Sequence, residues 1–389
     1  MNYSDFFKMI PEASLVAILI VLFVADFATA KTEERKWFNP LASILLLLNT
    51  FVCLYPMDTQ HLFGGMYVTS SAVDVMKAIL SMGTFIVVVQ SRTWAAKTGK
   101  EAEFYMLIVS TLLGMFAMMS AGNFVMFFLG LEMASVPLAC AVAFDMYRKN
   151  SAEAAAKFIL TATFSSGVML YGISFLYGQF GTLYFDDIAV KMQATPLTVI
   201  GLVFFFSGLG FKISLVPFHF WTADTYQGAP TTVTGYLSVI SKGAAAFTLL
   251  SILFHVFGSM MEYWHVLLMI VVVLSITIAN LFAVRQNELK RFMAFSSISQ
   301  AGYIMLAAVG NNWANSVTAL SYYVLIYVVA NMAVFTIISV VEQNNGGKTN
   351  ISDYNGFYQT NPRLSFLMTL AMFSLGGIPP FAGMFSKFF

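Results

Sequence analysis

Phe206-Ser-Gly-Leu-Gly-Phe-Lys-Ile-Ser-Leu-Val-Pro-Phe-His-Phe-Trp221 is the stretch on which the reading of this sequence turns. It lies in an apolar run long enough to cross a bilayer, yet Lys212 sits inside it and Pro217 follows, with Gly208 and Gly210 just ahead. Proline removes a helix hydrogen bond and clashes with the preceding turn, so a helix should break here. At membrane depth, irregular backbone survives only where protein surrounds it or it lines a cavity. We therefore read a discontinuous membrane helix with a charge beside its break.

Composition supports a membrane setting for the whole chain. Of its 389 residues, 59% are hydrophobic and only 10% charged, with a mean hydropathy of +0.77. Soluble domains carry about 25% charged residues, so this chain has too few to build a water-facing surface. The formal net charge of +1 leaves no nucleic-acid footprint. Two isolated cysteines, Cys53 and Cys140, exclude a disulfide framework and a thiolate-ligated iron–sulfur cluster. No G-x-G-x-x-G, P-loop or H-E-x-x-H motif occurs, so no cofactor or metal site is expected in this chain.

About 20 apolar residues are needed to cover roughly 30 Å of hydrocarbon. Such stretches fall at 12–30, 40–57, 72–90, 103–121, 123–144, 154–177, 197–220, 231–257, 264–284, 293–310, 316–341 and 364–389. These predict twelve spans in an all-α, polytopic transmembrane helix bundle. The first is read as retained, because acidic Asp5 and Glu12 precede or enter it and Lys31-Thr-Glu-Glu-Arg-Lys36 follows it.

Lysine and arginine placement gives the orientation. Connections after odd-numbered spans hold Lys31, Arg35, Lys36, Arg92, Lys97, Lys100, Arg148, Lys149, Arg285, Lys290, Arg291, Lys348 and Arg363. The N-terminus and even connections hold only Lys8 and Lys191. The positive-inside rule then puts the odd connections in the cytoplasm and the N-terminus outside.

The other five lysines, Lys77, Lys157, Lys212, Lys242 and Lys387, fall inside or at the edge of spans. Lys77 and Lys157 lie near span ends, from which a lysine can snorkel to the interface. Asp26 and Asp74 also lie near ends and are expected at the interface. Glu132, Lys212, Lys242 and Lys387 lie near mid-span. Each such charge costs about 2.5–3.5 kcal/mol on insertion scales, so four unpaired ones would cost on the order of 10 kcal/mol. They should therefore face one another, a buried polar network or internal water. One deep glutamate cannot neutralise three deep lysines permanently. Desolvation disfavours an ammonium and a nearby carboxylate favours it, so a lysine with a movable partner binds and releases protons. A static ion pair is the alternative for each.

Span 12 repeats the pattern of span 7: Phe373-Ser-Leu-Gly-Gly-Ile-Pro-Pro-Phe-Ala-Gly-Met-Phe-Ser-Lys-Phe388. Pro379 and Pro380 break it as Pro217 breaks span 7. Paired broken helices point to inverted repeats around a transport site. We expect three N-terminal helices over residues 1–100, a first five-helix repeat over 101–260 (spans 4–8) and a second over 261–389 (spans 9–12). This second repeat is expected to be incomplete, with the chain truncated in span 12. His219, close behind Pro217, could relay protons or simply bond a helix end. His265 is expected at the interface, whereas His255, Asp224 and Tyr226 carry no assignment.

At these residues the sequence resembles the antiporter-like membrane subunits of respiratory complex I. The likeness rests on KISLVPFHFWTADTYQGAPTTVTGYLSVISK (212–242), QNELKRFMAFSSISQAGY (286–303) and GGIPPFAGMFSK (376–387). SAEAAAKFIL (151–160) with FSSGVMLYG (164–172) favours the subunit N branch over its two sister subunits and over Mrp-type antiporters. The resemblance covers roughly residues 100–389 and implies fourteen spans, a departure from the twelve read here. It also implies a span-5 glutamate paired with a span-7 lysine, then a central span-8 lysine and a span-12 lysine leading to the exit. Carried over, these are Glu132, Lys212, Lys242 and Lys387, with Lys157 a further lysine typical of the branch. A histidine common at position 300 is Gln300 here, which cannot titrate.

The resemblance implies a proton-translocating, multi-pass subunit of an NADH:quinone oxidoreductase in a bacterial inner membrane. Its partners would be the lipid bilayer, sister antiporter-like subunits and small membrane subunits. NADH, FMN, iron–sulfur clusters and quinone would belong to the rest of the complex. Two other classes stay open: a sodium/proton antiporter, which would want several convergent oxygen ligands, and a passive scaffold.

Overall fold

The computed structural model describes residues 3–29, 37–55, 59–146 and 148–389. The cations Lys31, Arg35 and Lys36, used above for orientation, lie outside the described residues.

Among the described residues, helices stand at all twelve positions read as spans, and ten of them are long and apolar enough to cross a membrane, the second and twelfth being shorter. The twelve are Ile10–Ala28, Phe38–Cys53, Ser71–Thr98, Glu101–Met119, Phe124–Val142 and Lys149–Phe180, then Pro196–Ile213 with Phe220–Gly228 as the two halves of span 7. Thr231–His255, Met261–Ala283, Leu289–Leu306 and Trp313–Asn344 follow, and Pro362–Gly376 with Ala382–Phe388 form span 12. Apolar length located these segments, and most ends fall within a few residues of the sequence reading. Spans 3 and 7 differ most. Span 3 runs on to Thr98, so Arg92 and Lys97 stand on its last turns, and the second half of span 7 runs on to Gly228, so Asp224 and Tyr226 stand on a helix and not in a connection.

Spans 1, 6 and 9 leave most of their surface uncovered, as lipid-facing helices do, whereas span 8 is almost wholly buried. Span 8 is therefore the axis of the bundle, with span 3 and span 11 packed along it. Small residues set the close approaches. A Cβ on Gly114 of span 4 would collide with the Met133–Ala134 backbone of span 5, and one on Gly130 would strike the Met118 backbone in return. Without a hydrophobic force between helices in lipid, such backbone contact is a main source of association.

A two-stranded hairpin joins spans 2 and 3. Strand β1 (Gln60–Leu62) pairs antiparallel with β2 (Tyr67–Thr69), His61 facing Val68. No periodicity announced it, because three-residue strands carry too little pattern. Its consequence is specific: Tyr67 is pushed into the bundle and buried. There it donates to Glu12 Oε2 at 2.9 Å, while Lys77 Nζ lies 2.7 Å from Glu12 Oε1 and 3.9 Å from Asp74 Oδ1. Lys77 and Asp74 thus depart from expectation. Neither reaches an interface, because the hairpin and span 1 close over them.

Candidate functional site

Both breaks are built so that the freed backbone groups find partners. In span 7 the first half ends at Ser214, which adopts a left-handed conformation with φ 67°. Leu215 N–H then returns to Gly210 O, Val216 N–H donates to Ser275 Oγ of span 9 at 2.9 Å, and Trp221 Nε1 caps Phe211 O at 3.1 Å. In span 12, Gly377 takes the left-handed position and leaves Leu375 O exposed within the protein. Lys387 Nζ donates to that carbonyl at 2.7 Å and Gln300 Nε2 at 2.9 Å. Val216–Pro217 and Pro379–Pro380 are both cis.

Lys212, in the last turn of the first half of span 7, is buried and donates to Ser135 Oγ of span 5 at 2.7 Å. Glu132 stands one turn from Ser135 on the same helix and is only half-buried. Among the described residues Lys212 makes no ion pair within 4.0 Å, so Glu132 acts on it across a gap, while the lysine's hydrogen bond goes to the serine. The direct contact that the resemblance implied is absent from this conformation.

Lys242 stands where the α-helix of span 8 resumes, immediately after a π-helical turn at Leu237–Ser241. Such turns widen the helix and recur at functional sites. The lysine is buried, donates to Ser297 Oγ of span 10 at 2.7 Å and lies 5.5 Å from the centre of the Tyr226 ring. Tyr226 OH also meets Ser297 Oγ at 3.3 Å. One turn further along span 10 is Gln300, whose amide oxygen accepts from Tyr323 OH and whose nitrogen reaches Leu375 O. Lys387 shares that carbonyl and stands 4.5 Å from the Tyr303 ring centre. Lys242 and Lys387 are thus joined through one turn of span 10 and one carbonyl. Gln300, which cannot titrate, is the physical link.

His219 is buried in the break of span 7 and its Nδ1 has no protein partner. The hydroxyls of Ser214, Thr222, Thr225, Thr232 and Tyr327 are likewise buried and unmatched. Buried polar groups are nearly always satisfied, so each of these groups is a place where a bound water would complete the hydrogen bonding. Lys157 does not join this chain. It is exposed at the end of the bundle where Asp224 and Arg291 lie, paired with Glu153 at 2.8 Å and Asp224 at 2.7 Å.

The sequence reading missed Lys290 and Glu342. Lys290 counted as a loop cation, yet it is buried in the first turn of span 10, donating to Ala229 O at 2.8 Å. Its only signal was a run of apolar residues beginning just behind it.

A polytopic helical membrane protein with two broken helices and a row of buried lysines is the class that this fold and site define. The family model for the transmembrane region of NADH:quinone oxidoreductase and Mrp antiporters matches residues 121–389. NADH-quinone oxidoreductase subunit N of Phocaeicola vulgatus is 57% identical over 392 residues, covering 100% of this chain and 82% of the relative. A chain of respiratory complex I from Thermus thermophilus with bound aureothin superposes with a TM-score of 0.82 at 29% identity, covering 97% of this chain and 81% of that one. A chain of the Mrp complex from Dietzia superposes equally well, TM-score 0.82, but at 19% identity it speaks for the fold alone. The chain belongs to the NADH:quinone oxidoreductase/Mrp antiporter family.

Proposed function

We propose that this chain is the proton-translocating membrane subunit of an NADH:quinone oxidoreductase, working beside sister antiporter-like subunits in a bacterial inner membrane with its N-terminus outside. Residues 101–260 and 261–389 serve as inverted repeats around the two broken helices, and residues 1–100 flank them. The chain carries no redox centre of its own in this reading, and electron transfer belongs to other subunits of the complex.

One observation carries the proposal. Lys212 and Lys242 are buried and Lys387 is half-buried, and their hydrogen-bond partners are two serine hydroxyls and a backbone carbonyl, with no carboxylate among them. Burial penalises an ammonium that nothing neutralises. Lysines so placed serve better as proton carriers than as fixed charges. A shift of Glu132 towards or away from Lys212 changes that lysine's proton affinity. The proton then passes across the hydroxyl-lined break of span 7 to Lys242, along Ser297 and the Gln300 link, and to Lys387.

The test is Lys212→Met in the assembled complex. NADH-driven proton uptake into inverted vesicles should fall severely while the complex still assembles. Full uptake would favour the scaffold. Sodium-dependent dissipation of a pH gradient by the isolated protein would favour the antiporter.

A further inference from the structure

The lysine row needs an entrance, and one end of the bundle offers a built one. Glu342 closes span 11 and is buried. Its Oε1 accepts from Arg148 Nη1 at 2.8 Å and its Oε2 from Thr231 Oγ1 at 2.5 Å. Arg148 is half exposed and also holds Asp145 at 3.1 Å, so it stands between Glu342 and water with a second carboxylate in reach. Lys290 holds Ala229 O, so Glu342 and Lys290 grip opposite sides of Pro230, the joint between spans 7 and 8. The two are near enough to feel each other's charge, yet among the described residues Lys290 forms no ion pair.

Other groups facing this cluster are few. Glu288 is occupied by Arg291 N–H and Thr349 Oγ1. Tyr354, near Glu342, has a buried hydroxyl without a protein partner. Seven residues beyond Lys290 on the buried face of span 10 is Ser297, about 10 Å away at 1.5 Å per residue. Ser297 is the residue that accepts from Lys242. The unmatched hydroxyls of Thr225, Thr232 and Tyr327 belong to the elements around this interval.

We propose that Glu342 is the residue through which protons enter the lysine row, with Arg148 as its gate and Lys290 as the next carrier. Arg148 swings to Asp145 and stays charged, and the freed carboxylate takes a proton from water at that face. The resulting acid donates to the neutral amine of Lys290, which becomes an ammonium, and Arg148 closes on the regenerated carboxylate. Lys290 then passes the proton through water and Ser297 to neutral Lys242. Nothing is consumed and every proton is accounted for.

This rests on the proton-carrying reading above, and the experiment separates the two. Glu342→Gln keeps the side chain's size and one acceptor oxygen, which can face Arg148 while the amide nitrogen donates to Thr231 Oγ1, but it cannot carry a proton. In inverted vesicles holding equal amounts of assembled complex, it should slow NADH-driven proton uptake on the order of a hundredfold, the usual worth of a positioned acid or base. Glu342→Asp should restore at least a tenth of the wild-type rate. Aspartate shortens the clamp but keeps the carboxyl group, so a merely structural clamp instead makes Glu342→Asp as damaging as Glu342→Gln. If Glu342→Gln pumps normally while Lys212→Met is silent, the entrance is wrong and the lysine row stands. If Lys212→Met pumps normally, the parent reading fails. If Glu342→Gln does not assemble, Lys290→Met decides, with loss of uptake in the assembled complex supporting the entrance and wild-type uptake overturning it.

Discussion

Replacing Lys77 with methionine should destabilise the protein by about 3–5 kcal/mol, the usual consequence of stranding a buried charge. Lys77 is wholly buried, and its nitrogen lies 2.7 Å from Glu12 Oε1 and 3.1 Å from Tyr67 OH. Methionine fills the stem's volume but leaves Glu12 and Asp74 buried without a cation, and Asp74 Oδ2 already has no protein partner. Glu12→Gln alone leaves the lysine without its close counter-ion and should cost a similar amount. Together, the two substitutions remove the pair. The amide carbonyl that Glu12→Gln introduces still accepts from Tyr67, so the double variant should recover about 2–4 kcal/mol relative to the sum of the singles, within the range for directly contacting groups or slightly above it. Asp74 is common to all four proteins of the cycle and cancels. Unfolding in mixed detergent micelles, followed by circular dichroism, gives the four free energies. Simple additivity would refute the claim that this pair is coupled, and a Lys77→Met protein as stable as wild type would refute the burial argument.

Other consequences follow from the site and the packing. Gln300→Leu removes the link to both Tyr323 and Leu375 O, so NADH-driven proton uptake should drop while assembly, judged on native gels, holds. Ser275→Ala strips the partner of Val216 N–H at the break of span 7 and should lower stability by about 1–3 kcal/mol in the same micelle titration. Gly114→Val drives a branched side chain into the Met133–Ala134 backbone, where even one extra methylene group in a packed core costs about 1–3 kcal/mol. The yield of folded protein should fall accordingly, and a wild-type yield would show that spans 4 and 5 pack less tightly than described.

The spans were legible because hydrocarbon thickness dictates a length, and the two breaks because proline and glycine admit few alternatives. Lys212, Lys242 and Lys387 stood out because nothing in a lipid-facing helix explains them. What stayed hidden depended on three-dimensional closure. Glu12 lies just after Pro11 near a helix start and resembles an interfacial acid until the hairpin folds Tyr67 over it. Lys290 sits beside Arg291 in a basic loop, and only the joint at Ala229–Thr231 draws the first inward while the second turns to Asp224. The gap between Lys212 and Glu132 has no sequence signature, since Ser135 at the next turn reads as an ordinary small residue. The π-helical turn before Lys242 is equally silent, because its residues are no different from those of a regular helix.

The central claim is that the buried lysines exchange protons, which a charge-preserving substitution tests most directly. Arginine keeps a positive charge at Lys242 but does not release its proton in proteins. With Lys242→Met as the control for assembly, NADH-driven proton uptake into inverted vesicles should be lost in Lys242→Arg as completely as in the methionine variant. Uptake near the wild-type rate in Lys242→Arg, with the methionine variant inactive, would mean that a fixed charge suffices and would contradict proton exchange at this site.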